Sequence, residues 1–271
     1  MRYNSENAAT VLQLVEGGLK ETGSAEDRLH QLWLTLLFSR ARALLNGVRL
    51  ACGDQVLGGV FKGMALTGDA LELYRTPVLL GCYEHELHPV VEKLIAGNYT
   101  RILNIGCSVG YYAVGLALRM PQVTVEAFDI SPEAQKKCAE LARLNGVQER
   151  VHISGLFKGE DFASYVDGKT LVVMDIEGGE KDLLDPVRYP ALRKMDVLVE
   201  LHDLIDPAIS QTVIDRFAPS HSMEFIRNRN LLPDASAFLP EGQYLDPFDH
   251  LLLGWECRDG ETPWGVFVAK E

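Results

Sequence analysis

At 271 residues, 47% of them apolar, the chain has room for one α/β domain with an appendage and for a sizeable core. Its formal charge of −12, from 26 basic and 38 acidic residues, argues against an electrostatic grip on nucleic acid or an anionic membrane and suits a small or cationic substrate. The five cysteines form no C-x-x-C pair, the first ten residues are polar, and no run reaches the about 18 apolar residues of a membrane span, so the expectation is a cytoplasmic chain with reduced thiols.

Residues 1–80 read as a helical extension. Ala8, Val11, Leu12, Val15 and Leu19 share one face of a first helix that Gly17-Gly18 weakens. Ser24 and Asp27 have capping-box spacing and open a long helix through Leu29, Trp33, Leu37 and Leu44, ending near Asn46-Gly47. Its broad stripe fits packing on its own domain or, equally, a lid or a dimer arm. The glycine-rich pieces between 48 and 80 suggest a hairpin and an irregular loop. From 81 onward, Tyr83, Leu87, Val90, Val91 and Leu94 mark a helix that leads into a strand at Ile102, Leu103 and Ile105. A small-residue turn, a helix over Tyr111–Arg119 and a strand over Val123–Phe128 follow. Ser131-Pro132 caps the next helix, which ends at Asn145-Gly146. Further strands are expected at 151–153, 171–174, 197–201, 222–227 and 265–269, with helical stretches at 181–193 and 207–217 and an insert near 228–262. The alternation predicts a doubly wound, Rossmann-like, seven-stranded and mostly parallel sheet over 81–271.

In such a sheet, ligands gather at the carboxyl ends of the strands. The turn Asn104-x-Gly106-Cys107-Ser108-x-Gly110 brings backbone close to a ligand, and Asp129, with Ile130 beside it, stands where a carboxylate accepts both hydroxyls of a ribose. This points to a nucleoside-containing cofactor. The dinucleotide pattern G-x-G-x-x-G is absent, because no third glycine falls at the required place. The third strand end offers Gly155-Leu156, which implies apolar and backbone contacts to a base. The fourth and fifth ends carry Asp175, Glu177, Glu180, Glu200, His202 and Asp203. His202 is the candidate base, with Glu200, Glu177 and Glu180 orienting it or holding a substrate amine. Asp175, His202 and Asp203 suit Mg²⁺ or Mn²⁺ as well as a proton relay. Acids at 177–180 also suit the N-terminus of the helix that follows.

The turn resembles motif I of the class I S-adenosylmethionine (SAM) methyltransferases, D/E-x-G-x-G-x-G, with Asn104 and Ser108 as departures. Asp175-Ile176-Glu177-Gly178-Gly179-Glu180, followed by Leu183-Leu184, resembles the D-h-E-G-x-E…LL signature of the FkbM-type methyltransferases. The resemblance covers roughly residues 60–210. It implies SAM as cofactor, bound by the 104–110 turn, Asp129, the third strand end and Asp175. With Asn104 in place of the usual acid, Glu84 is the candidate counter-charge for the methionine amino group. The expected activity is methyl transfer to a hydroxyl of a sugar or natural product. Transfer to an amine or guanidine held by the acids is the alternative, and a non-catalytic SAM-fold binding protein the third.

Overall fold

The computed structural model describes residues 5–18, 23–227, 245–258 and 260–270. The strands are β1 Arg101–Ile105, β2 Thr124–Phe128, β3 Val151–Ser154, β4 Thr170–Met174, β5 Asp196–Glu200, β6 His221–Ile226 and β7 Trp264–Ala269. They form one seven-stranded sheet in the order β3-β2-β1-β4-β5-β7-β6. β1 to β5 pair in parallel, and β7 runs antiparallel to both of its neighbours. The expected Rossmann-like α/β fold is therefore present.

Side chains alternate across the sheet, as the period of two demands. On β4, Leu171 and Val173 join the core on one face while Val172 and Met174 join the core on the other. The first core packs under the helices α2 Ala25–Cys52, α5 Tyr111–Arg119 and α6 Pro132–Leu144, and the second under Phe162, Leu192 and a helix at Ile209–Phe217. β4 and β5 are buried on both faces, which is why they read as near-continuous apolar runs.

The extension departs from expectation in two places. The capping box at Ser24 and Asp27 forms, but α2 does not stop at Asn46-Gly47; it continues to Cys52. Burial of Leu44, Leu45 and Val48 outweighs the about 1 kcal/mol that an internal glycine costs a helix. The hairpin expected over 48–80 reduces to one bridge, Gln55 with Ala65, and Gly68–Leu80 is a helix, α3, opened by Thr67. Pro77 sits in the last turn of α3. Ahead of α2 lies α1, Ser5–Gly18, and after α3 comes α4, His88–Ile95. In the second half, the helical stretch expected over 181–193 is split: α7 is Glu180–Leu183, with Pro186 shortly beyond its end, and Pro190–Lys194 forms a separate turn; α8 is Ile209–Phe217. Part of the expected insert, 228–244, lies outside the described residues, while Pro247–Leu253 is a helix, α9, tied to α2 by an Arg40–Asp249 fork.

Candidate active site

Register sets the site. Ile105 pairs with both Phe128 and Met174, so the ends of β1, β2 and β4 lie level, and Met174 pairs with Val199, which sets Glu200 beside Asp175. The backbone knits these tips together: Gly106 and Cys107 N–H groups donate to Phe128 O, and Asp175 N–H donates to Ile105 O. Gly106 has φ +81, and a Cβ there would stand 1.6 Å from Asp175 O. The first glycine of the turn therefore serves the close approach of β1 to β4 as much as any ligand.

A cavity of about 950 Å³ opens over these tips. Of the residues expected to hold a cofactor, Gly106, Ser108, Asp129, Ile130, Gly155, Leu156 and Asp175 line it. Asn104 and Cys107 line a small recess beside it, and Gly110 lies outside both as the cap of α5. The Asp129 carboxylate is fixed by two backbone donors, Ser108 N–H on Oδ2 and Ser131 N–H on Oδ1, each at 2.9 Å. A carboxylate has about four acceptor positions, so each oxygen keeps one for a diol. Ile130 (77% exposed) and Leu156 (65% exposed) stand at the same end of the cavity, two large aliphatic residues available to a flat apolar ring.

The DIEGGE segment folds back on itself. Glu177 takes φ 54 and Gly178 φ 104, which returns the chain so that the fully buried Glu180 Oε1 accepts from Gly178 N–H (3.2 Å) and from His202 Nδ1 (2.7 Å). That leaves His202 Nε2 facing Glu177 (3.3 Å), Asp175 (3.5 Å) and Glu200 (3.9 Å). Burial disfavours the imidazolium, but the Glu180 hydrogen bond and the charges of Glu180, Glu200 and Asp175 outweigh it and push the His202 pKa up to about 9. That shift favours the imidazolium, a hydrogen-bond donor, near neutral pH. Burial and the neighbouring Glu200 push Asp175 up as well, to about 7, which for an acid favours the neutral form, against the attraction of His202.

Two expected residues have other employment. Asp203 Oδ1 accepts from Ser210 N–H at 2.9 Å, and so holds the start of α8 rather than joining a metal set. Glu84, the candidate counter-charge, pairs with Arg258 Nη2 at 2.9 Å and accepts from Tyr112. Burial and the Glu200 charge push the Glu84 pKa well up, opposed by Arg258. Arg258 was not foreseen. It also donates to Glu256 Oε2 (2.9 Å) and to Glu200, and with Thr262 it fixes the Glu200 carboxylate. No motif surrounds it; the one signal was a set of acids (Glu84, Glu200, Glu256) that burial obliges to find a cation. The non-glycine residues with positive φ among those described are Glu84, Ser108, Glu177 and Cys257, and all four line the cavity or pair with a residue that does.

For a metal, Asp175, Glu200 and His202 bring one donor atom each within 4.8 Å of one another. Two carboxylates and an imidazole whose far nitrogen is held by a buried acid would suit Mg²⁺ or Mn²⁺ once His202 gives up its Nε2 proton, which binding of the ion must displace.

No protein-family model matches the chain. Over 97 residues it is 35% identical to the release factor glutamine methyltransferase of Deinococcus radiodurans, a match that spans 36% of this chain and only 34% of that protein. Among solved structures it is similar to the O-methyltransferase TomG from Streptomyces achromogenes in complex with SAM (15% identity, TM-score 0.48, 74% of this chain and 88% of that one). It is also similar to an O-methyltransferase from Bacillus cereus in complex with SAH (11%, TM-score 0.46, 86% and 91%) and to the SAH-bound Podospora anserina methyltransferase PaMTH1 (15%, TM-score 0.44, 100% and 98%).

Proposed function

We propose that this chain is a SAM-dependent methyltransferase that acts on a hydroxyl of a small molecule. The observation that carries the reading is one cavity that joins the Gly106–Ser108 turn and the Asp129 carboxylate to the acid and imidazole cluster at the ends of β4 and β5. At about 950 Å³ it reaches the upper end of the roughly 300–1,000 Å³ of ligand pockets, enough for a nucleoside cofactor and a small acceptor together.

Asp129 accepts the ribose hydroxyls, and Ile130 and Leu156 flank the adenine. Bound SAM supplies the electrophile, a methyl on a sulfonium, and leaves as S-adenosylhomocysteine. Asp175 takes the proton of the acceptor hydroxyl as its oxygen attacks; its pKa of about 7 leaves a large share ionised at neutral pH. The His202 imidazolium, held by Glu180, donates toward the acceptor oxygen and the Asp175 carboxylate, while Glu200, braced by Arg258, keeps the imidazolium charged. A dication held by Asp175, Glu200 and a deprotonated His202 would take the place of the imidazolium and polarise the same oxygen.

A second reading, transfer to an amide or amine nitrogen, draws support from the partial similarity to a glutamine methyltransferase and from the acids around the acceptor. Labelled SAM offered with separate panels of alcohols and of amines or amides tells the two apart by which product carries the label. The cofactor itself is tested by Asp129→Ala. Loss of charge-assisted hydrogen bonds, each worth about 1.5–3 kcal/mol, lowers SAM affinity at least about tenfold by calorimetry. Unchanged SAM affinity, or tighter binding of NAD, overturns the reading.

A further inference from the structure

The acceptor end of the cavity has a wall as well as an acidic floor. Leu204 (60% exposed) and Ile205 (58% exposed) follow β5 and line the cavity beside Ile176 and Leu183. Two large aliphatic side chains held open to solvent inside a cavity are an unfavourable arrangement unless something apolar covers them. They are not loose. A Cβ on Gly260 would come within 2.8 Å of Leu204 Cδ1, and one on Gly178 within 3.0 Å of Ile205 Cγ2. Glycine backbone from two other loops thus packs close against both residues, while more than half of each stays exposed. Asp175, Glu177, Asp182 and Glu200 line the same cavity with Asp129 and Glu256, and these acids outnumber the two cations there, His202 and Arg258, so the charge balance disfavours a carboxylate or a phosphate.

We propose that the acceptor is a neutral hydroxyl compound with an apolar carbon skeleton, seated on Leu204 and Ile205 with its hydroxyl toward Asp175. This rests on the methyltransferase reading and narrows it: sugars and anionic acceptors are disfavoured by the same wall and floor.

The test is calorimetry on the full chain saturated with S-adenosylhomocysteine. The probes are 4-ethylphenol, 4-propylphenol and 4-butylphenol, with 4-propylbenzoate as the anion and methyl glucoside as the sugar. Affinity for the phenols is expected to rise up to about fourfold per methylene, the equivalent of about 0.8 kcal/mol for each buried CH₂. The benzoate and the glucoside bind at least tenfold more weakly than 4-propylphenol. Leu204→Asn and, separately, Ile205→Asn flatten the phenol series and leave S-adenosylhomocysteine affinity unchanged, which also shows that the variants fold. A flat series in the wild type, a slope that survives in both variants, or a sugar or anion that binds as well as 4-propylphenol overturns the proposal. Failure to bind S-adenosylhomocysteine sinks the methyltransferase reading itself, whereas normal cofactor binding with a flat series sinks only this one.

Discussion

At the tip of β4, Asp175 Oδ1 is buried without a hydrogen bond while His202 Nε2 stands 3.5 Å away, so one carboxylate and one imidazole share the cavity floor with opposite needs. Asp175 must be ionised to accept a proton, and His202 must be protonated to donate. With pKa values near 7 and near 9, both conditions hold only between them. The rate measured in EDTA, so that protons alone titrate the cluster, is expected to rise through about pH 7 and fall through about pH 9, two limbs that belong to the coupled pair. A single-limbed profile counts against the assignment. Asp175→Asn is expected to lower turnover by about 10²–10⁴ with SAM affinity intact. The sign for stability runs the other way. An acid whose pKa is raised on folding favours the folded state below its unfolded value of 3.8, and that contribution is lost as pH rises toward 7. His202, raised from 6.5, stabilises below 6.5, and its contribution is lost as pH rises through about 9. Asp175→Asn removes the ionisation, so its melting temperature should exceed that of the wild type at pH 8, with the gap smaller at pH 5 and closing only near the unfolded value of 3.8. Equal melting curves at both pH values would mean that Asp175 carries no buried charge.

Among the elements, the β1–α5–β2 unit shows how a local pattern and a tertiary constraint meet at one residue. Gly106 and Gly146 both have positive φ, +81 and +68, but a Cβ at 146 meets nothing within 4 Å, whereas one at 106 collides with Asp175 O. Gly146→Ala should therefore lose only the about 1–2 kcal/mol of a left-handed L-residue. Gly106→Ala must also part β1 from β4, and the loss should be several times larger in denaturant melts, with SAM binding gone. Comparable losses in the two variants would mean that the turn relaxes freely. This unit was legible in the sequence, as was α6, because its signals are local: an apolar run, small residues in the turn, and an N-cap with proline. The α3 helix was not, since the glycines of 48–80 favour turns locally, and the helix end is completed by tertiary packing of Val78, Leu79 and Leu80. Nor was the Arg258 clamp, whose partners Glu84 and Glu200 lie 174 and 58 positions away. Glu180 was read from a family signature, but its burial beneath His202 depends on the turn at Glu177-Gly178 and could not be seen from spacing.

For the molecule as a whole, the question is whether the N-terminal helices are an accessory or part of the fold. The two halves of α2 give different answers. Leu29, Trp33 and Leu36 are exposed, while Leu37, Leu44, Leu45 and Val48 enter the same core as Ile102, Leu171 and Leu198 of the sheet. Burying an aliphatic side chain of this size contributes about 1.5–3 kcal/mol. Four of them give roughly 6–12 kcal/mol, which matches the whole net stability of about 5–15 kcal/mol of a typical domain. The fork between Arg40 and the buried Asp249 adds a tie from α2 to α9, and removing the arginine strands a buried carboxylate. Deletion of residues 1–23, which ends before the Ser24 cap, should therefore leave a folded chain that binds SAM. Deletion of 1–52 should give none, in contrast to a lid, whose loss would spare the fold and affect turnover. The two truncations, read by near-UV circular dichroism and SAM calorimetry, separate these cases. A 53–271 fragment that folds and binds SAM with the affinity of the full chain would show that the second half of α2 is dispensable, and that the shared core is a contact of convenience.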